Sequence, residues 1–426
     1  MGHIDTITDV SGKWCAISRS KGWLPLQYVM NLDSAEKHFT SRIKKHENDY
    51  DALAIRGMIR MEQNQLDLAL KDLNESIKLS QNNPVTFNNR AIVLNARGEF
   101  PEALANLNQA IKLNENYADA HENRGLVMVS MGQYEDAIAN FDKAISLRKD
   151  NPWSFINRGT AKSNLGDYKG AKEDFLRSIR MNRRISDAYV GLSIVFLAEN
   201  DHERAFKYSE EAIKRNKKNG LAYNQRGWTN YKLGKCDEAM YDFDLAIRFA
   251  PTLSIVFNNR GICQMELGKL DQAIKDLNRA VQLNSRSAVA FTNRGTAHMA
   301  SRNYKKAKSD FEAAVKLSPK LADAANGLGW FLATCPNDEF RNGEKATEYA
   351  KKACELSSWK EWSYLDTLAA AHAEQGDFDK AIEIETKAIE MAPDEGKLEC
   401  KERMALYKDE KPFRSEVGKT SDEKNG

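Results

Sequence analysis

Apolar residues in this chain recur at spacings of three and four over stretches of about thirteen residues, and short polar breaks separate the stretches. Ala118 to Met131 is one such stretch and Tyr134 to Leu147 the next, with Gly132 between them. Spacing of this kind puts the apolar side chains on one helical face, and a glycine after the last turn supplies a left-handed C-terminal cap. The pattern therefore predicts a pair of amphipathic helices joined by a tight turn. Equivalent breaks stand at Asn64, Gly98, Gly166, Asn200, Gly234 and Gly268, and Pro101 falls at the start of a second helix, where its missing N–H is tolerated.

The pair repeats. A basic–small landmark appears at Arg56-Gly57, Arg90-Ala91, Arg124-Gly125 and Arg158-Gly159, then at Leu192-Ser193, then at Arg226-Gly227, Arg260-Gly261, Arg294-Gly295 and Leu328-Gly329, always 34 residues apart. Alanine follows twelve residues after each of the first eight small residues, from Ala69 to Ala307. Small residues let the two backbones approach, and Phe141, Phe175, Phe243 or Phe311 fills the space beside them. One pair cannot bury its apolar face alone, so the pairs must stack.

The aromatic at Phe87, Phe155, Tyr189, Tyr223, Phe257 and Phe291, followed in register by the small residues, the alanines and Pro251 or Pro319, resembles the tetratricopeptide repeat. The resemblance implies an all-α, right-handed superhelical solenoid of about ten helix-turn-helix repeats. Their expected starts are 50, 84, 118, 152, 186, 220, 254, 288, 322 and 362, within 50–395, the ninth carrying a longer loop from Cys335 to Gly343. Residues 31–49 are expected to cap the first repeat with a lone helix over Asp33 to Lys45, 396–414 to form the C-terminal capping helix, a charged amphipathic stretch over Gly396 to Lys408, and 415–426 a disordered tail. In residues 1–30, Lys13 to Ile17, Gly22 to Pro25 and Tyr28-Val29 read as short strands around a Ser18 to Lys21 turn, and resemble part of a bacterial SH3-like barrel. The segment from Gly329 to Arg414 resembles a C-terminal block of bacterial tetratricopeptide proteins.

Ten copies in one chain permit an internal comparison. Sixteen residues after the landmark arginine stand Asp72, Asn106, Asn140, Asp174, Asp242, Asp276 and Asp310; where arginine gives way to Leu192, Leu328 or Leu368, the equivalent positions hold Tyr208, Tyr349 and Ile384. This covariation predicts structural pairs within a repeat, Arg56 with Asp72, Arg158 with Asp174, Arg226 with Asp242, Arg260 with Asp276 and Arg294 with Asp310, as charge-assisted hydrogen bonds.

Positions 2, 5, 6, 9, 12 and 13 of each first helix form one stripe. In the resembling family that stripe lines a concave groove for extended peptides. Here position 6 holds Asn89, Asn123, Asn157, Gln225, Asn259 and Asn293, similar to the asparagine ladder of the O-linked N-acetylglucosamine transferase superhelix. A row of amides can pair with any peptide backbone, or it can hold the stack together; the sequence leaves both readings open. Trp153, Trp228, Tyr231 and Ile262 add apolar area, with Ile255 and Met265. Nine charged stripe residues are acidic (Asp51, Glu62, Asp119, Glu122, Asp187, Glu266, Asp323, Asp366, Glu374) against Lys232 alone, which favours an apolar or basic segment and disfavours nucleic acid.

Composition narrows the class further. Lys plus Arg number 63 against 61 Asp plus Glu, without a basic stripe, and no run is apolar enough to span a membrane. Six cysteines without a CxxC spacing suit a reducing, cytoplasmic setting, and seven scattered histidines suggest no metal or other cofactor. Cys335 invites a nucleophile reading but has no legible base, so loop packing is the plainer role. Met1 to Thr6 fits a loose myristoylation pattern. Neither end holds a phosphate loop, metal motif or nucleophile elbow. The expected function is therefore a non-enzymatic scaffold or adaptor that binds a protein or extended peptide; the alternatives are a self-associating structural protein and the interaction module of a longer enzyme.

Overall fold

In the computed structural model, residues 31–415 are described with their side chains, together with the backbone of 7–11, 14–17 and 23–25. The chain forms two compact units, 1–199 and 200–426.

The first unit opens with a three-stranded antiparallel sheet, β1 (Ile7–Ser11), β2 (Trp14–Ile17) and β3 (Trp23–Pro25), adjacent in that order, with Ser11 opposite Trp14 and Cys15 opposite Leu24. Three such strands do not close a barrel. The Ser18 to Lys21 turn, Tyr28-Val29 and the Met1 to Thr6 pattern lie outside the described residues. Helix α1 (Leu32–Lys45) follows, its first turn capped by Asn31 Oδ1, which accepts from the Ser34 N–H at 2.8 Å. Four antiparallel pairs come next: α2 (Tyr50–Glu62) with α3 (Leu66–Leu79), α4 (Pro84–Arg97) with α5 (Phe100–Leu113), α6 (Ala118–Ser130) with α7 (Tyr134–Leu147), and α8 (Pro152–Asn164) with α9 (Tyr168–Met181). Helix α10 (Ser186–Ala198) packs on α8 and α9.

The second unit begins with α11 (His202–Arg215) and continues in pairs: α12 (Gly220–Lys232) with α13 (Cys236–Phe249), α14 (Ser254–Glu266) with α15 (Leu270–Leu283), α16 (Ala288–Ala300) with α17 (Tyr304–Leu317), α18 (Ala322–Thr334) with α19 (Gly343–Leu356), and α20 (Trp362–Glu374) with α21 (Phe378–Met391). A single 3-10 turn, Asp338–Phe340, lies in the long loop between α18 and α19. Helix α22 (Asp394–Lys408) packs on α21.

Packing within a pair follows from the small residues. Ala69, Ala103, Ala137 and Ala171 in the first unit, and Ala239, Ala273 and Ala307 in the second, are wholly buried. The Phe175 ring lies against Gly159 of its own repeat and Gly191 of the next, and a methyl group at Gly191 would overlap it. The turns take left-handed backbone at Asn64, Gly98, Gly132, Gly166, Asn200, Gly234, Gly268 and Gly376. Arg302 takes it too, at φ 62°, where the eighth repeat lacks a glycine, at a cost of roughly 1 kcal/mol relative to one.

The carboxyl-terminal end departs from expectation. The last helix spans Asp394–Lys408, starting two residues before the expected Gly396 and ending at the expected Lys408, because Pro393 in extended conformation sets its start and Glu410, at φ 55°, ends it. The Lys411 N–H closes that end on the Leu406 carbonyl at 2.9 Å, and Pro412 prevents any further turn. Ser415, expected in the free tail, is hydrogen-bonded to Thr334; residues 416–426 lie outside the described residues.

Candidate peptide-binding groove

Consecutive first helices pack against one another within each unit, α2 on α4, α4 on α6 and α6 on α8 in the first, α12 on α14, α14 on α16 and α16 on α18 in the second. First helices thus line the inner side of each unit.

Two hydrogen-bonded ladders run through this framework. In the outer one, all seven landmark arginines reach the second helix of their own repeat. Arg226 Nε and Nη2 donate to the two oxygens of Asp242 at 2.9 and 2.6 Å, and Arg56, Arg158, Arg260 and Arg294 grip Asp72, Asp174, Asp276 and Asp310 in the same fork. Arg90 and Arg124 each donate Nε to an amide oxygen, on Asn106 and Asn140. The pairs are structural: Asp242 is almost fully buried. Sequence reasoning missed their second half, in which Nη1 reaches back sixteen residues to the preceding repeat: Arg90 to Asn74, Arg124 to Asn108, Arg158 to Asp142, Arg260 to Asp244 and Arg294 to Asn278. Each of these arginines therefore ties its repeat to the one before. The recurrence of Asn or Asp at that register carried the signal. Where leucine replaces arginine, Leu368 and Ile384 share one apolar cluster, and Tyr349 packs against the cluster holding Leu328.

The inner ladder is built by position 6. Asn123 Nδ2 donates to Asn88 Oδ1 at 2.7 Å and Asn157 Nδ2 to Glu122 Oε1 at 3.0 Å in the first unit. In the second, Asn259 Nδ2 donates to Asn224 Oδ1 at 3.1 Å and Asn293 Nδ2 to Asn258 Oδ1 at 2.8 Å. Of the two roles the amide row could have, holding the stack together is thus present in the geometry, since position 5 of one repeat faces position 6 of the next. Asn259 is buried, whereas Asn89, Asn123, Asn157, Gln225 and Asn293 keep part of their surface open on the inner side. Gly191 and Gly327 interrupt the row.

The acidic lining is thinner than the sequence suggested. Glu122 is buried at position 5, accepts from Ser154 Oγ, Asn151 Nδ2 and Asn157 Nδ2 at 2.8 to 3.0 Å, and has its carboxyl pushed above the ordinary range chiefly by burial. Asp366 is buried against Arg403. Asp119 is paired with Arg148 and Asp323 with the Tyr364 hydroxyl.

Apolar side chains stand in the open beside the amides. Trp153 is 41% exposed in the first unit, along with Val85 at 41%, and Ile255 and Val289 are each 45% exposed in the second. All four occupy position 2. Trp228 and Tyr231 stack with centroids 4.9 Å apart, and Lys232 Nζ lies 5.2 Å from the Trp228 ring centre. Burial and the neighbouring Glu266 push the Tyr231 phenol up. Ile262 is half-buried further along.

Among the described residues, one group of donor atoms is close enough to hold a cation: carboxylate oxygens of Asp366 and Glu385 and the sulfur of Cys400, within 4.8 Å of one another. Arg403 supplies positive charge there, its Nε 2.6 Å from Asp366 and 4.0 Å from Glu385. Glu385 is wholly buried, and its carboxyl meets the Asp366 carboxyl and the Cys400 thiol. Asp366 from α20 and Cys400, Arg403 and Tyr407 from α22 face it, with Glu399 behind Arg403. Burial and Asp366 push its carboxyl up to about 9, so at neutral pH it is protonated, giving the acid pair one proton and one arginine. Because the folded-state value lies above the unfolded one, this contribution to stability is complete below about pH 4.5 and is lost as pH rises through about 9. Glu385→Gln, neutral throughout, should flatten that slope; urea denaturation of both proteins between pH 6 and 9 measures it. Cys335, also buried, has its thiol pushed up by burial, contrary to what a nucleophile needs.

Tetratricopeptide-repeat family models match residues 93–132, 127–166, 156–216, 254–287, 288–321 and 363–395, together a little over half of the 426 residues. A search of curated proteins gives no match. Among solved structures, the APC/C hetero-tetramer Cut9-Hcn1 aligns with a TM-score of 0.55 at 16% identity, over 80% of this chain and 67% of that one. Human IFIT1 with PPP-AAAA aligns at 0.53 and 18% identity, over 85% of this chain and 95% of that one. A tetratricopeptide repeat protein from Parabacteroides merdae aligns at 0.50 and 17% identity, over 58% and 98%. At these identities the likeness is one of fold.

Proposed function

Proceeding from a chain that belongs to the tetratricopeptide-repeat proteins, we propose that it is a non-enzymatic scaffold whose inner face binds an extended segment of a partner protein. The observation that carries this reading is the line of exposed apolar residues at position 2, Val85 and Trp153 in one unit and Ile255 and Val289 in the other, beside amides with unused hydrogen-bonding capacity. Isolated apolar residues on a surface need no explanation, but exposed apolar residues at one register of the inner helices within each unit, alternating with Asp119 in the first and adjacent in the second, and bordered by amide groups, suit an extended peptide. Alternate side chains of the peptide would rest on the apolar row, and its backbone would use the free valences of Asn89, Asn123, Asn157, Gln225 and Asn293. Asn259, being buried, would serve the stack instead. Trp228, Tyr231 and Ile262 extend the apolar contact, and the remaining exposed carboxylates, Asp51 and Glu266 among them, favour a neutral or basic peptide over a polyanion.

Panning a random peptide library against the intact protein and against Trp153→Ser and Ile255→Ser variants tests the reading. Both residues sit outside the two ladders, so the variants should keep their helicity. Peptides selected by the intact protein should bind the variants about tenfold more weakly, equivalent to about 1.4 kcal/mol. Unchanged affinities for both variants would remove the inner face as the binding surface.

A further inference from the structure

Residues 411–415, which follow the last helix after Asp409 and Glu410, run back across the inner face of the ninth and tenth repeats. The Phe413 ring lies 5.7 Å from that of Trp330, and the Arg403 guanidinium is 5.6 Å from Trp330 and 5.5 Å from Phe413. Arg414 Nη2 sits 2.6 Å from Glu374 Oε2 as an ion pair, and the other oxygen of that carboxylate accepts from Arg341 Nε at 3.0 Å. The Ser415 N–H donates to the Thr334 carbonyl at 2.9 Å, and the two hydroxyls are 2.7 Å apart. Trp330 and Thr334 occupy positions 9 and 13 of the ninth first helix, and Glu374 position 13 of the tenth. These are groove positions. The segment makes the three kinds of contact that a bound peptide makes: an aromatic on an aromatic, a basic side chain on a carboxylate, and a backbone N–H on a helix-end carbonyl.

Beyond Ser415 the inner face opens into a cavity of about 300 Å³, lined by Thr296, Met299, Asn326, Trp330, Pro336 and Ser415. Thr296 and Met299 are positions 9 and 12 of the eighth first helix, so Ser415 lies at the edge of the next groove compartment. Phe413 packs against the core cluster of the tenth repeat, whereas Arg414 keeps a third of its side chain in solvent and reaches the Glu374 carboxylate and, at 3.4 Å, the Ala333 carbonyl.

We propose that Lys411–Ser415 is an intramolecular occupant of the groove, and that this end of the groove recognises an extended protein segment carrying an aromatic residue followed by arginine. The proposal rests on the groove reading above and adds its regulation: a partner of that chemistry reaches Trp330 and Glu374 only when the chain's own segment leaves. Trp330 takes the partner's aromatic ring, Glu374 its guanidinium, and Thr334 its backbone.

The test uses the full chain and a fluorescent peptide of the sequence Asp-Glu-Lys-Pro-Phe-Arg-Ser, followed by anisotropy. A Phe413→Ala, Arg414→Ala double variant should bind the peptide at least about tenfold more tightly than the unaltered protein, the equivalent of one displaced charge-assisted contact. A peptide with alanine in place of both Phe and Arg should bind neither. Arg414→Ala alone leaves Phe413 and Arg403 in place, and should shift affinity in the same direction if the double variant folds poorly. Equal affinity of the peptide for the unaltered protein and for Arg414→Ala would overturn the proposal. Library binding that is unaffected by Trp153→Ser and Ile255→Ser, alongside tight binding of the peptide in trans, would fail the wider groove reading and leave this site standing.

Discussion

Exchanging Arg403 for methionine should destabilise the carboxyl-terminal end by roughly 3–5 kcal/mol, the range for removing one member of a buried ion pair. The arginine side chain is 8% exposed, as is that of Asp366, and Glu385 is wholly buried. Its loss leaves the single negative charge of the Asp366–Glu385 pair without a counter-charge and takes the cation from beside the Trp330 and Phe413 rings, where such contacts add about 1 kcal/mol. The substitution keeps the hydrophobic stem, so the effect reports charge and not volume. Because stacked repeats need not melt in one step, amide hydrogen exchange resolved by segment is the suitable measurement. Exchange should accelerate over Trp362–Glu374, Phe378–Met391 and Asp394–Lys408 and stay unchanged over the repeats of residues 50–181.

Arg226→Met should cost a similar amount, roughly 3–5 kcal/mol, by leaving Asp242 buried with only Asn230 Nδ2 at 3.2 Å as a hydrogen-bond donor. The informative comparison is the double variant. Arg226→Met with Asp242→Leu removes both charges and should recover most of the loss, since the chain already tolerates such a replacement: Leu368 and Ile384 occupy the two positions in the tenth repeat and share one apolar cluster. Urea denaturation of the two single variants and the double variant gives the coupling directly. Additive losses would show that the pair is not coupled and that arginine at this position does something other than satisfy a buried carboxylate.

The contrast between these two sites explains how much could be read from sequence. A repeat protein presents the same local problem ten times, so the period, the helix pairs, the left-handed turns and the arginine–carboxylate pairing were visible by comparing the chain with itself. The turn at Arg302 was not, because its residue type hides a conformation that glycine or asparagine announces elsewhere. The backward bonds from Arg90, Arg124, Arg158, Arg260 and Arg294 were legible in principle, through the recurring Asn and Asp at the second register. The inner amide row was ambiguous because one asparagine can donate across repeats and still present a free valence to a ligand; only the distances from Asn123, Asn157, Asn259 and Asn293 to the preceding repeat separate the two uses. The end of the chain was least legible. Arg403, Glu385, Phe413 and Arg414 belong to arrangements that occur once, so no internal copy reveals their partners, and the return of residues 411–415 onto Thr334 follows from no periodicity.

The most direct test of the inner face as the binding surface is site-specific photo-crosslinking with peptides selected by panning. A benzophenone amino acid would replace Trp153 or Trp228 on the inner helices and, as the outer control, Tyr241, which is 64% exposed on the second helix of the sixth repeat. Bound peptide should be captured from the positions of Trp153 and Trp228 and not from that of Tyr241. Capture at Tyr241 with none at the two inner positions would contradict a groove on the first helices and place the partner on the outer surface.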